Sequence, residues 1–154
     1  MQIETGLSET QRSAIGALLS KFLADSYVLY LKTQCFHWNL TGPEFFSLHK
    51  LFETQYEELA IAIDEIAERI RALGFYVEGS MEAFLKATSI QEAHRVLPIR
   101  EILEQLIQGH EILIREGRKL ASVAEKQGDA ATVDLLGRRL GAHEKQAWML
   151  RSQI

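Results

Sequence analysis

The chain has 154 residues, of which 47% are hydrophobic and 25% are charged. These values are typical of one globular domain, and they exclude a disordered or low-complexity chain. The formal net charge of −4 also excludes a general electrostatic attraction to nucleic acid or to an anionic membrane. We therefore predict a single domain over residues 1–154.

The sequence carries no sign of export or membrane insertion. Cys35 is the single cysteine and cannot form an internal disulfide. Residues 2–11 are polar and lack the basic start and apolar core of a secretory signal. The chain has no run of about 18 uncharged apolar residues, so we predict no transmembrane helix. The expected location is the cytoplasm.

Four long segments have apolar residues at helical spacing, and none alternates like a β-strand. The first covers residues 8–35, where Ser8 and Gln11 predict a capping box. The second begins within residues 41–44, where Thr41 and Glu44 are predicted to cap each other, and it ends near Gly74.

The third helix is predicted from Pro98 to near Gly128, and the fourth begins after Asp129, whose side chain can cap it. Residues 75–98 connect the second and third helices and contain only a short helical segment, residues 80–86. A long connection in a four-helix protein usually runs the length of the bundle. The pattern therefore predicts an all-α, ferritin-like four-helix bundle with a long crossover that carries a short extra helix.

The second predicted helix carries four residues of types that bind metals, all within a stripe about 100° wide. They are His49, Glu53, Asp64 and Glu68. A solvated surface face with polar partners four residues apart would produce a similar pattern. The same stripe contains Tyr56, Ala60 and Ala67, however, which favours a contact surface.

The spacing of these ligands predicts a site between two subunits. His49 and Asp64 lie about 22 Å apart along the helix axis, too far to share an ion within one chain. The four positions are mirrored about a point between Glu58 and Leu59. Two copies of the helix packed antiparallel about that point would place His49 of each beside Asp64 of the other, and Ala60 would let the backbones approach. A two-fold dimer would contain two identical sites.

His37, at the end of the first helix, can reach the same end of the second helix as His49. Two histidines and three carboxylates without a thiolate suit iron or manganese, and zinc is possible. Bundles with a di-iron centre inside one chain use a Glu-x-x-His motif, and none of the five histidines has a glutamate three residues before it. An intrachain centre is therefore disfavoured.

Three segments resemble signatures of the Dps family of miniferritins. The first is His-Trp-Asn-Leu-Thr-Gly-Pro at residues 37–43, followed by two phenylalanines at 45–46 and Leu-His at 48–49. The second is Asp-Glu-Ile-Ala-Glu-Arg-Ile at residues 64–70, and the third lies at residues 143–151. The resemblance covers nearly the whole chain. It implies a twelve-subunit hollow shell in which Fe²⁺ is oxidised, preferably by hydrogen peroxide, and stored as ferric mineral, which protects against oxidative damage.

The resemblance implies dinuclear ferroxidase centres built from two subunits. One subunit would supply His37, His49 and Glu53, and the other would supply Asp64 and Glu68. The family often has Asp at the position of Glu53, so a contact through water is an alternative for this ligand.

We predict functional roles for four further residues, and three of them also have a purely structural alternative. Trp38 could donate an electron to an oxidising centre or simply pack at the interface. The resemblance places Asp129, Asp134 and Glu125 at acidic pores through which iron enters. The alternatives are a helix cap for Asp129 and a partner of the helix dipole for Asp134.

DNA binding is the competing function. In this family it is usually a property of Lys/Arg-rich tails, whereas residues 1–20 contain Arg12 as their only cation, and Arg151 is the only charge after Leu150. Neutralising phosphates requires several cations. Direct DNA binding is therefore a minority hypothesis, as is a nucleoid-associated architectural role with a secondary metal site.

The remaining conspicuous side chains are predicted to be structural. His94, His110 and His143 are expected at the surface or as helix caps, and Cys35 is expected to be a buried thiol. For Arg69 the sequence leaves open a neighbouring carboxylate and a partner subunit.

Overall fold

A computed structural model describes residues 3–154, which form five α-helices and no strand. They are α1 (Glu9–Asn39), α2 (Phe45–Ala72), α3 (Met81–Ala87), α4 (Ile99–Lys126) and α5 (Ala130–Arg151). The predicted all-α fold is confirmed, with four long helices and the short extra helix within the crossover. Helix α1 packs against α2, α3 and α4, and α4 packs against α5.

Side-chain caps fix two of the long helices at the predicted residues. Ser8 and Gln11 form the expected capping box at the start of α1. The Asp129 carboxylate accepts a hydrogen bond from the Thr132 amide at the start of α5. The capping by Thr41 and Glu44 was predicted wrongly, because α2 begins at Phe45 and Glu44 makes no side-chain cap. The backbone itself caps the start of α2, because the Phe45 amide donates a hydrogen bond to the Gly42 carbonyl. Gly42 lies in the preceding turn and has φ +116°.

The core is apolar and tightly packed where α1 crosses α4. Fully buried side chains from α1, α2 and α4 include Phe22, Leu29, Phe52, Ile66 and Leu106. Gly109 of α4 lies directly against Leu29, and a Cβ added there would be 2.6 Å from Leu29 Cδ1. The missing side chain therefore sets the distance between these two helices.

Polar contacts attach the crossover to α1. The buried Asp25 carboxylate accepts hydrogen bonds from the Thr88 hydroxyl at 2.9 Å and the Ser89 amide at 2.6 Å. Further along α1, Lys32 Nζ donates to the Gln91 carbonyl at 2.9 Å. The crossover is therefore held at two points along α1, and this explains how a long irregular segment keeps a fixed path.

Helix α1 is long and apolar enough, by composition, to cross a membrane, although more than half of the relevant window is buried inside the bundle. The core helix of a water-soluble protein meets the same criterion. Within residues 3–154, no other helix meets it.

His110 and His143 are in the core, so the prediction of surface or capping positions was wrong for both. Each is about 1% exposed, and their Nδ1 atoms lie 3.0 Å apart. Arg139 Nη2 lies 3.5 Å from His143 Nε2, and a guanidinium can only donate, so His143 accepts there and donates through Nδ1 to His110. His94 is exposed, as expected.

Both histidines are held neutral. Burial lowers the pKa of His110 to about 3, with a smaller contribution from the positive charge of Arg139. Burial also lowers the pKa of His143 well below its usual value, as do His110 and Arg139. The guanidinium itself is ion-paired with Glu58 of α2, so a polar layer joins α2, α4 and α5.

This layer predicts loss of stability in mild acid. The unfolded chain binds protons at both histidines below about pH 6.5, whereas the folded chain does not. The free energy of unfolding should therefore fall as pH drops below about 6.5, by up to ~1.4 kcal/mol per pH unit for each histidine. Thermal unfolding of the iron-free protein between about pH 7.5 and 5 measures this. His110→Gln should reduce the pH dependence, while His94→Gln should not. Equal pH dependence in the wild type and His110→Gln would contradict the prediction.

Candidate metal centre between subunits

His37 and His49 form a stacked pair at the junction of α1 and α2. His37 lies in the last turn of α1, and His49 lies near the start of α2. Their ring centroids are 3.7 Å apart with an interplanar angle of 19°. The antiparallel packing of α1 on α2 brings these two residues together across a short turn.

Each histidine is oriented by the backbone of the other. His37 Nδ1 lies 2.8 Å from the His49 carbonyl oxygen, and His49 Nδ1 lies 3.0 Å from the His37 carbonyl oxygen. A carbonyl can only accept, so both Nδ1 atoms carry hydrogen and donate. With Nδ1 as the donor, the neutral form of each imidazole has its free lone pair on Nε2, which is the tautomer that a metal-binding imidazole needs.

Aromatic rings enclose the pair on two sides. The ring centroids of Phe45 and His49 are 4.8 Å apart, and those of Tyr56 and His37 are 5.1 Å apart in a T-shaped arrangement. Burial raises the pKa of Tyr56, and so do the carboxylates of Glu53 and Glu57. The phenol is therefore a neutral neighbour of the imidazoles at physiological pH.

Glu53 follows His49 by one helical turn and is held by Lys50. The Lys50 ammonium lies 2.6 Å from the Glu53 carboxylate, and this hydrogen bond lowers the pKa of Glu53. The nearby His37 and His49 lower it further, so the carboxylate lies within electrostatic reach of the histidine pair. It is ionised and available to a cation at neutral pH.

Asp64 and Glu68 lie on the same helix but far from the histidines. Both are exposed, and within residues 3–154 neither makes a side-chain hydrogen bond or an ion pair. No group of three or more potential ligands comes together within the described part of one chain. A single subunit thus brings together His37 and His49 with Glu53 nearby, and it leaves the other two carboxylates separate.

The surface around these residues is unusually apolar. Phe46 is 74% exposed, Ile61 is 67% exposed and Trp38 is 62% exposed, while Ala60 is also exposed. Large apolar side chains that face solvent in one subunit are typical of a surface that another subunit covers. Cys35, predicted as a buried thiol, is half-buried on the same part of α1.

The three predicted pore residues differ in their surroundings. Asp134 and Glu125 are exposed, and Asp134 pairs with Arg138. Asp129 is 3% exposed, caps α5, and pairs with Arg69 at 2.7 Å. Burial alone would raise the pKa of Asp129, but hydrogen bonds from Arg69 and Thr132 outweigh burial and lower it. The partner of Arg69 is therefore a carboxylate of its own chain.

Phe45 and Lys50 were not predicted as neighbours of the metal ligands, and Tyr56 was predicted only as a member of the same helical stripe. The spacing did contain a signal, because Phe45 and Glu53 lie one turn on either side of His49, and Tyr56 lies two turns after it. The reciprocal hydrogen bonds could not be predicted, because their acceptors are backbone carbonyls and every residue type has one.

Comparisons with known proteins agree with this fold. Residues 16–154 match the family model of the ferritin-like domain. The chain is 40% identical to a DNA protection during starvation protein of Porphyromonas gingivalis, over 95% of this chain and 92% of that protein. It is 41% identical to DNA protection during starvation protein 2 of Bacillus anthracis, over 88% and 92%.

The solved structures support the same assignment. The Dps protein of Vibrio cholerae, described as a member of a broad superfamily of ferritin-like diiron-carboxylate proteins, superimposes with a TM-score of 0.94 at 34% identity, over 99% of this chain and 97% of that one. Fold and sequence thus define a ferritin-like four-helix protein. Within that class, the chain belongs to the Dps family.

The buried pairing of Asp129 predicts a structural role that can be tested. Arg69→Met leaves a buried carboxylate without its cation, and we expect it to lower the free energy of unfolding by about 1–3 kcal/mol. Arg138→Met removes an exposed arginine that pairs with Glu65 and Asp134, and it should change stability by no more than about 0.5 kcal/mol. Thermal unfolding at neutral pH measures both. Equal losses in the two variants would contradict the structural role of Asp129.

Proposed function

We propose that this protein is a ferroxidase and iron-storage miniferritin that oxidises Fe²⁺ at sites formed between two subunits. The observation that carries the proposal is the stacked pair of His37 and His49. Reciprocal hydrogen bonds from both Nδ1 atoms leave both Nε2 lone pairs free. Two preoriented imidazoles beside an ionised carboxylate form half of an N/O site of the kind that suits iron.

The second half of the site would come from a partner chain. Two copies of α2 packed antiparallel about a two-fold axis near Glu58 would bring Asp64 and Glu68 of the partner subunit to this histidine pair. The exposed Ala60 and Ile61 lie near that axis and would become buried there. Such a dimer has two identical sites, and in the proposed assembly six dimers form a hollow shell of twelve subunits.

The chemistry follows from these ligands. Carboxylates neutralise part of the charge of two Fe²⁺ ions, and water fills the open positions, where an oxidant can bind. Each Fe²⁺ gives up one electron, and one hydrogen peroxide accepts both electrons and two protons to form two waters. A two-electron reduction releases no hydroxyl radical. Manganese and zinc are expected as substitutes for iron at the same site.

The other candidate residues are proposed to act in iron entry, electron supply or subunit packing. Asp134 and Glu125 face solvent and are proposed to line the pores through which Fe²⁺ enters. Asp129 is the weakest of the three pore candidates because its carboxylate already pairs with Arg69. Trp38, exposed beside a ligand, would either supply an electron or pack against the partner subunit. The proposed location is the cytoplasm.

The names of the relatives favour DNA protection, and this leads to a second candidate function. Protection by DNA binding would need exposed cations. Arg12, the only cation in residues 1–20, donates to the Leu73 carbonyl at 2.7 Å and lies over the ring of Phe75. We therefore propose that DNA is protected chiefly by removal of Fe²⁺ and peroxide, and that binding to DNA, including a nucleoid-associated role, is secondary.

Complementation between two inactive variants tests the intersubunit site. His49→Ala and Asp64→Ala should each abolish peroxide-dependent Fe²⁺ oxidation, as should the double variant, while the assembly keeps its mass. In a mixed dimer, one site has both defects and the other has none. Co-expression of equal amounts should therefore restore about a quarter of the wild-type rate, because half of randomly formed dimers are mixed and each has one intact site.

The rate of Fe²⁺ oxidation and the native mass are measured on the same samples. Co-expression of His49→Ala with the double variant is the matched control, because no pairing of these chains yields an intact site. Absence of any recovery in the first mixture would exclude a site shared between subunits. Unchanged oxidation in the double variant would exclude these ligands altogether.

A mobility-shift assay over a salt series tests the second candidate. We expect no retardation of duplex DNA at neutral pH and moderate salt, since the known source of non-specific affinity is a set of several phosphate contacts. Tight binding that weakens steeply as salt increases would establish DNA binding as a primary function.

A further inference from the structure

Lys32 is a buried cation without a counter-ion. It lies on α1 and is 6% exposed. Its ammonium donates one hydrogen bond, to the Gln91 carbonyl at 2.9 Å, and within residues 3–154 it has no carboxylate partner within 4.0 Å. Lys21, on the same helix, shows the usual arrangement because it pairs with Asp25 at 2.7 Å. A buried ammonium that is not neutralised destabilises the folded state.

The Lys32 side chain borders a polar cavity of about 240 Å³ between the crossover and α4. Residues 89–91 of the crossover form one wall, and Gln105, Gln108, Gly109 and Ile112 form the other. No carboxylate lines this cavity. Its only formal charge is the ammonium of Lys32, and its remaining polar side chains are three amides and one hydroxyl.

We propose that this cavity is a binding site for a small oxyanion, for which inorganic phosphate is the probe. An ammonium has three N–H donors, and the carbonyl of Gln91 occupies one of them, so two remain for a ligand. The amide groups of Gln105 and Gln108 can donate as well. A site with one positive charge, neutral donors and no carboxylate is complementary to an anion and repels cations.

The state of the amine is consistent with this assignment. Burial lowers the pKa of Lys32, because the ammonium loses hydration and no carboxylate within residues 3–154 pairs with it to compensate. A bound oxyanion would reverse that effect by favouring the charged form. The same ligand would contact the crossover, α1 and α4 together, so binding should raise the stability of the folded chain.

Glu92 is the competing partner for the ammonium. Its side chain lines the neighbouring groove, which Lys32 also borders, and no ion pair forms between them in this structure. Glu92→Gln therefore separates the two possibilities. It should leave phosphate affinity unchanged or raise it if the cavity holds the anion. Binding that is absent from the wild type and appears only in Glu92→Gln would overturn the proposal, because Glu92 would then neutralise the amine in the native protein.

Calorimetric titration of the assembled, iron-free protein with inorganic phosphate tests the site, with chloride used to keep ionic strength constant. We expect one phosphate per chain in the wild type and a loss of affinity of about tenfold or more in Lys32→Met. Lys119→Met is the matched control because it removes an exposed lysine of α4, and it should bind like the wild type. Iron is absent, so the result does not depend on the proposed ferroxidase activity.

Gln108→Glu provides a second variant in case Lys32→Met fails to assemble. Gln108 is exposed at the edge of the cavity, so the substitution should be tolerated, and its negative charge should abolish phosphate binding. Absence of saturable binding to the wild type would overturn the proposal. Equal affinity in the wild type, Lys32→Met and Gln108→Glu would overturn it as well, because the phosphate would then occupy another place.

Discussion

The reciprocal hydrogen bonds between His37 and His49 join the last turn of α1 to the first turns of α2. They require the two helices to be antiparallel, closely packed and in one register, because each imidazole must reach the carbonyl of the other. The same register presents Glu53 beside the pair and leaves Asp64 and Glu68 at the far end of α2. The proposed division of ligands between two subunits therefore follows from how α1 and α2 meet.

Polar groups on α1 serve two separate purposes along its length. Asp25 and Lys32 hold the crossover, and His37 belongs to the candidate metal centre. Because α1 contacts α2, α3 and α4, few of its faces are left to solvent, which explains why these polar residues are buried. Each one has a specific hydrogen-bond partner, in agreement with the high cost of leaving a buried polar group unsatisfied.

The helices and the crossover could be predicted because local signals were strong. The capping box at Ser8 and the cap at Asp129 mark helix starts, and the apolar spacing marks the faces that pack. The start of α2 was harder, since the turn at Gly42 satisfies the Phe45 amide through the backbone, whereas the sequence offered a plausible side-chain cap. Side-chain type alone could not choose between the two.

The buried histidines show the limit of residue type as a guide to position. His143 precedes Ala147 by four residues and Leu150 by seven, so helical spacing already placed it on the core face of α5. Its polar character favoured the surface, and that expectation was wrong because His110 supplies a partner from α4. A partner on another helix cannot be seen in one segment. The candidate metal pair His37 and His49 was found because its two residues flank one short turn.

The groups that accept hydrogen bonds from the two imidazoles affect how long a metal ion would remain bound at the proposed site. Many metal-bound histidines donate their second N–H to a carboxylate, which makes the ring a stronger base and a tighter ligand. Here both acceptors are backbone carbonyls, which fix the orientation of the rings without adding negative charge. In the proposed site the imidazoles would therefore hold iron less firmly than carboxylate-backed histidines would. Short residence suits a centre that must release each oxidised ion and receive the next, whereas a permanent cofactor would need the opposite.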